Sequence, residues 1–433
     1  MKRFFSIILA AALTLSMLLS TASCAANGEV APNTANVASN TASMLELQAA
    51  PLLAIASNNV SVNVNDFALR LSAELSKGIG SANFVASPFS VWLPLAALVN
   101  ATDAAHKEEL LSALGAMGVT ENDLNEYASQ ALYHLTNENS KNESYYYNPL
   151  RIANALFVDD NVTLKKDFAQ KFLDFYRGAA FTVDFDSQEA VKAVNKWASD
   201  NTDGLITDVV DSFDSSSIAA IANAIYFEDR WTNEFNIADT APDIFHGPDG
   251  DITADFMLHE GNSELYYEDD LVQAMPLSFI SGGSMRIILP KDGDATGLLQ
   301  SMTDEYFRKI KAESRKFTGK LLLPKFELDS GIMDLNTALQ SLGIPLFDEA
   351  AAPLTNGVIE ESMPVWLGKA VQKAYIKVDE KGTTAAAVTI MAMAGIGMTQ
   401  PAGTFEMKCD KPFVFILSGK NDVVLFAGVV NKP

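Results

Sequence analysis

The chain has 433 residues, 48% of them hydrophobic, enough for a sizeable core in one large domain or in two or three average ones. Its 31 Lys and Arg stand against 54 Asp and Glu, a formal net charge of −23 that argues against nucleic acid or acidic surfaces as partners. His106, His134, His246 and His259 show no metal-ligand spacing, His259-Glu260 lacks the second histidine of HExxH, and no GxSxG, GxGxxG or P-loop occurs. The expectation is therefore no enzyme, no cofactor and no metal.

Residues 1–23 read as a secretory signal: Lys2 and Arg3, an apolar run over 4–19, then small residues. TASC (21–24) resembles a bacterial lipoprotein processing box, although such boxes usually begin with Leu where this one has Thr21. That resemblance implies lipidation of Cys24; ordinary signal cleavage is the alternative. Several acyl chains would hold the protein firmly at a membrane, where a single chain anchors marginally. Loss of Lys2 and Arg3 would leave 29 basic against 54 acidic residues, near −25. The only other cysteine, Cys409, lies in a strand pattern and reads as a buried, inert thiol. Residues 25–60 are rich in Ala, Asn, Ser, Thr and Val with almost no charge, so 24–60 is read as a flexible, lipid-anchored tether whose second half is ambiguous. The folded domain is expected over 61–433.

Within it, 67–75 (FALRLSAEL) has apolar residues at helical spacing. NFVA (83–86) is strand-like, and SPFS (87–90) caps a following helix, with Pro88 where a first-turn proline is tolerated. Helices are expected over 104–114 and 121–135, and a polar, aromatic-tipped loop over 136–148. A short strand at 156–158 precedes an amphipathic helix at 164–176, with Phe168, Phe172 and Tyr176 on one face. A strand at 181–185 and a helix at 191–198 follow. The run at 218–227 reads as a strand buried on both faces, and Asn223 inside it asks for a specific hydrogen bond. Strands are expected over 272–278, 284–289 and 319–327. A helix over 336–342 ends at Leu342-Gly343, suited to a left-handed cap.

The last stretch is unlike the rest. AYIKVDE (374–380) and FEMKCDKPFVFIL (405–417) are strand patterns, yet the connection between them, 382–405, is long and carries no charged side chain. Alternate positions from Thr383 onward would carry no ion into a core on either face, where an unpaired charge costs several kcal/mol. Gly395, Gly397 and Pro401 interrupt a run already too short for a transmembrane helix. The segment is compatible with exposure and with a place inside a sheet.

VDEKGTTAAAVT (378–389) resembles the reactive-loop hinge of the serpins. Six further blocks match that family in order and spacing over about 63–433: NFVASPFSVWLPLAAL (83–98), NALFVDDNVTLKKDF (154–168), VNKWASDNTDGLITDVV (194–210), IANAIYFEDRW (221–231), LLLPKFELDSGIMDLNTALQSLGI (321–344), and DKPFVFIL (410–417) with LFAGVVNKP (425–433). The resemblance implies an α+β serpin fold: three β-sheets, about eight or nine helices and an exposed reactive-centre loop at about 380–405. It implies a monomeric serine protease inhibitor acting as a suicide substrate. A protease cuts the loop, and the loop enters the central sheet before the acyl-enzyme hydrolyses, trapping the enzyme.

By resemblance, Glu380, Gly382, Thr383, Thr384, Ala385, Ala386 and Ala387 form the hinge, Thr384 replacing the more usual glutamate. Ser87, Ser90, Asn223, Trp231 and Gln372 belong to the region where the sheet opens; Gln372 stands where the family commonly has histidine. Counting from Gly382 puts the scissile bond at Ile396-Gly397. The stretch beyond looks about five residues longer than in a familiar inhibitory member, so Met398-Thr399 and Met393-Ala394 compete. No Arg or Lys lies in 382–405, which points to elastase-, subtilisin- or chymotrypsin-like targets, with cysteine proteases as a second class. The 136–148 loop has only Lys141, which argues against glycosaminoglycan activation. The expected place is outside the cytoplasm, as a surface lipoprotein or a secreted protein. The alternative function is a non-inhibitory serpin serving as a binding or structural surface lipoprotein.

Overall fold

The computed structural model describes residues 42–44, 49–50, 61–136, 150–202, 204, 206–213, 218–357, 364–383 and 401–433. In chain order they form β1 (Ala42–Met44), α1 (Val64–Leu75), β2 (Phe84–Ala86), α2 (Pro88–Leu98), α3 (Ala104–Ala113), α4 (Glu121–Thr136), β3 (Leu150–Asp159), α5 (Lys166–Tyr176) and β4 (Gly178–Val183). Then come α6 (Gln188–Asn201), β5 (Ala219–Phe227), β6 (Asp229–Arg230), β7 (Ala241–Gly247), β8 (Gly250–Glu268), β9 (Val272–Ser278), β10 (Ser284–Pro290), α7 (Ala295–Ser301) and α8 (Asp304–Glu313). The chain continues with β11 (Arg315–Pro324), β12 (Phe326–Asp329), β13 (Met333–Asp334), α9 (Asn336–Ser341), β14 (Lys369–Lys373), β15 (Tyr375–Val378) and β16 (Gly382–Thr383). It closes with β17 (Thr404–Lys408), β18 (Phe413–Ser418) and β19 (Val424–Val430).

The strands make three sheets, ordered β1-β4-β3-β5-β14-β13, then β17-β11-β8-β9-β10-β18-β19-β2 with β7 on β8, and β12-β15-β16-β6. With nine α-helices among the described residues, this is an α+β architecture.

The six-stranded sheet is covered on both faces. Ile221, Ile225 and Phe227 of β5 join the core beneath α2, while Ala220 and Ala222 join a second core under α6, with Phe157, Phe181 and Trp197. That two-sided burial is why β5 reads as a continuous apolar run. Every residue of α2 is buried. Pro88 starts the helix without losing a bond, but Pro94 inside it cannot donate to the Ser90 carbonyl. A third core joins β18 and β19 to α1, α7 and α8 through Leu69, Leu299, Phe307, Val414 and Val429.

Several sequence expectations need amending. The strand at 156–158 is ten residues long and starts at Leu150. The strand expected over 319–327 is two, β11 and β12, divided at Lys325. The long hairpin of β7 and β8 was not foreseen. Ser87 sits at the N-cap of α2, but its side chain makes no capping bond; it donates instead to the Leu425 carbonyl at 2.6 Å. Within 24–60, the described stretches 42–44 and 49–50 lie against the domain. Ala42–Met44 pairs antiparallel with Phe181–Val183, and the Ala50 backbone is held by Asp174 and Arg177. An open sheet edge offers a ladder of unpaired backbone groups, and this segment fills part of it. The signal segment, Cys24 and the 137–149 loop lie outside the described residues. Cys409 is a buried free thiol, and burial pushes its pKa up.

Candidate functional site

The centre of interest is a seam in the sheet. Over five registered pairs, Lys369↔Ala220 to Lys373↔Ala224, β14 runs parallel to β5. Single residues, Ala374 and Glu228, then divide β14 from β15 and β5 from β6. Beyond them the two chains no longer pair with each other. β16 lies between them, Thr383 registered with Val378 on one side, and Gly382 and Thr383 with Arg230 and Asp229 on the other. The same two strands are closed at one end and hold a two-residue guest at the other.

The turn that delivers this guest is built from its own residues. After β15, the Asp379 side chain accepts from the Lys381 N–H at 2.9 Å, and the Asp379 N–H donates to the Gly382 carbonyl at 3.0 Å. Gly382 has φ of +151°, and a Cβ there would run into the Asp229 carbonyl, so both conformation and space require glycine. Thr383 is fully buried. Its Oγ1 accepts from the Asp229 N–H at 3.0 Å and donates to the Asp229 carbonyl at 3.3 Å.

The segment after β6 holds the turn by its carbonyls. Trp231 donates its N–H to the Lys381 carbonyl and its Nε1–H to that of Asp379, both at 2.9 Å, and the Phe235 N–H donates to Glu380 at 2.9 Å. Trp231 is held in turn by Phe279, stacked at 4.5 Å between ring centroids. The buried Glu380 side chain accepts from the Thr240 hydroxyl at 2.9 Å and lies 3.5 Å from Lys325 Nζ.

Beneath the closed end lie two polar clusters. Gln372 Nε2 donates to the Ser87 carbonyl at 2.8 Å and to Ser90 Oγ at 2.9 Å, while its Oε1 accepts from the Ser87 N–H at 2.9 Å. All three residues are fully buried. Gln372 therefore spends both ends of its amide, tying β14 to the start of α2. Asn223, registered beside Gln372, turns to β3: its Nδ2 donates to Asn154 Oδ1 at 2.8 Å, and Asn154 Nδ2 donates to the Tyr176 carbonyl at 3.2 Å. The Oδ1 of Asn223 is buried without a hydrogen-bond partner among the described residues, beside a cavity of about 10 Å³ that Pro94, Leu95 and Val371 also line, close to the smallest space that holds a water.

The structure thus places Ser87, Ser90 and Gln372 in one cluster, Asn223 in a neighbouring one, and Trp231 with Glu380, Gly382 and Thr383 at the open end. Thr384, Ala385, Ala386 and Ala387 lie outside the described residues, as do Met393, Ala394, Ile396, Gly397, Met398 and Thr399. Sequence reasoning missed Asn154 and Asp229. Asp229 is buried, its Oδ1 accepts from the Arg230 N–H at 2.8 Å and its Oδ2 makes no hydrogen bond among the described residues; burial pushes its pKa up to about 6. A visible signal is a second acid, after Glu228, at the end of an apolar run.

A family model described as serpin (serine protease inhibitor) matches residues 62–433. Among curated proteins, the alpha-1-antitrypsin of Sus scrofa is 29% identical over 385 residues, covering 87% of this chain and 88% of that protein. Among solved structures, the thermophilic serpin tengpin in its native state superposes with a TM-score of 0.77 at 24% identity, over 91% of this chain and 100% of that one. The Arabidopsis protein AtSerpin1, in a structure described as its native stressed conformation, gives a TM-score of 0.72 at 26% identity, over 85% and 96%.

Proposed function

The chain belongs to the serpin family of serine protease inhibitors, and from that premise we propose that it traps a protease as a suicide substrate. The loop beyond Thr383 is taken by the protease and cut. The freed arm then continues the strand that β16 begins, parting β14 from β5 and carrying the acyl-enzyme with it. The observation that supports this most directly is the seam itself. β5 and β14 pair in parallel, the slightly weaker mode per residue, while Gly382 and Thr383 already stand between their continuations. Uptake of the arm would replace one parallel ladder by two antiparallel ones, each added hydrogen bond contributing about 0.5–1.5 kcal/mol net.

The hinge comprises Glu380 and Gly382 to Ala387, and the small, neutral side chains from Gly382 onward let the strand zip without burying an ion. The cut falls at Ile396-Gly397, with Met398-Thr399 and Met393-Ala394 as competitors, and the targets are elastase-, subtilisin- or chymotrypsin-like. The inhibitor is a monomer, and lipidation of Cys24 places it at the outer face of a membrane, its serpin domain spanning 61–433. The test is incubation with a panel of such proteases, a gel for SDS-stable complexes, and the mass of the released C-terminal peptide. A covalent complex with one peptide mass supports the reading and fixes the bond. Clean cleavage without any complex sinks it, leaving a non-inhibitory serpin that binds or supports at the surface.

A further inference from the structure

The Asp229 carboxyl is in an unusual position for a charged group. It sits at the first residue of β6, its own backbone N–H and carbonyl both engaged by the Thr383 hydroxyl, so the hinge closes over it. Glycine at 382 brings the hinge backbone against the Asp229 carbonyl with no side chain between. The residue has no exposed surface, and among the described residues its Oδ2 finds no hydrogen bond.

Among the described residues no cation is paired with it. On its own segment Arg230 is taken by Glu234. On the hinge, Lys381 is exposed and Glu380 is shared between Thr240 and Lys325, which also reaches Asp255. On β15 Lys377 pairs with Glu327, and just after it Asp379 accepts from the hinge backbone. From the turn between β9 and β10 comes only the Ser281 side chain and backbone, which oppose part of the upward shift. A sealed carboxylate without a counter-charge is costly, and the cost disappears in any state that admits water.

We infer that Asp229 is a proton-operated catch beneath the hinge: its ionised form favours parting of β6 from β16, and its protonated form holds them closed. The proton comes from and returns to solvent, and no other group changes. The sign follows from linkage. An acid titrating higher in the folded state than in the unfolded chain destabilises the closed form when ionised. The closed form therefore gains stability as pH falls through about 6 and stops gaining near 4, where the exposed acid also takes up a proton. A protease cutting the loop at neutral pH would meet a sheet primed to open; below pH 6 it would meet one that opens slowly and lets the acyl-enzyme escape. This last step rests on the inhibitory reading above, whereas the catch itself does not.

The test is the unfolding rate of the full chain in fixed urea, followed by tryptophan fluorescence between pH 5.0 and 7.5, for wild type, Asp229→Asn and Asp229→Ser. The wild-type rate should fall about tenfold on acidification with a midpoint near 6, one pKa unit being worth a factor of ten. The variants should be slow at both pH values and flat. A readout needing no substitution is hydrogen exchange of the peptide spanning Asp229, which should slow on acidification by more than the intrinsic chemistry of exchange. Identical pH profiles for wild type and whichever variants fold, or exchange that follows intrinsic chemistry alone, would overturn the catch. Trapping of protease at pH 7.5 and 5.5 separates the two ideas. Coincident profiles with trapped protease remove only the catch; the expected profiles without any trapped protease remove only the inhibitor.

Discussion

Asn154 and Asn223 face each other across β3 and β5, Nδ2 of Asn223 donating to Oδ1 of Asn154 at 2.8 Å. The pairing is written twice in the chain. The tetrapeptide IANA occurs at 152–155 and again at 221–224, and antiparallel register lays one copy against the other so that the asparagines meet. Truncating either should leave a buried amide group unmatched and cost about 1–3 kcal/mol in urea unfolding. A double-mutant cycle with Asn154→Ala and Asn223→Ala should show a coupling of about 1 kcal/mol. Simple additivity would mean that the two amides are independent.

Gly382→Ala should lower stability by about 1–3 kcal/mol, because φ of +151° is strained for any residue with a Cβ and the added methyl meets the Asp229 carbonyl. The expected relief is withdrawal of β16 from its place. Trp231, bonded to the carbonyls on either side of Glu380, should then report a shifted emission maximum. Unchanged melting and emission would show that the glycine is not needed there.

Gln372→Leu keeps the volume of the side chain and removes three hydrogen bonds at once. The Ser87 N–H stays buried and loses its acceptor, so a loss of about 1–3 kcal/mol is expected. Thermal unfolding within experimental error of wild type would remove Gln372 from the forces holding β14 to α2.

Thr383→Arg asks a buried position to accept a charge, and the protein should convert from inhibitor to substrate: cleavage retained, SDS-stable complex lost. Thr383→Ser, which keeps the hydroxyl that bonds Asp229, should trap nearly as well as wild type. Full trapping by the arginine variant at unchanged stoichiometry would refute the account of the hinge.

Much of this was legible where one physical demand dominates a stretch. The β5 run announces two-sided burial, and the glycine at 382 announces a backbone that other residues resist. What escaped was pairing at a distance. Nothing near 150–155 separates that stretch from an alanine-rich helix, because small residues carry little period; only the partner strand fixes it. Ser87 has the signature of a cap and serves Leu425 instead, a contact between residues 338 positions apart. Nothing in the local sequence marks Asp229 as buried, and only the folding back of the hinge shows that it is covered. Within 24–60, composition carries no sign of β1, whose ladder is set by the edge of β4 far along the chain.

The rims of the six-stranded sheet are short on both sides, three residues in β1 and two in β13. A sheet so finished offers little edge at its borders, and in the proposed mechanism its new strand enters between β5 and β14. Backbone ladders do not read identity, so a doorway that takes this arm would also take any neutral, extended segment of similar length, including the same arm on a second molecule. Crowding and warmth together should therefore link molecules end to end, and a short peptide copying 383–394 should block that linkage by occupying the doorway first.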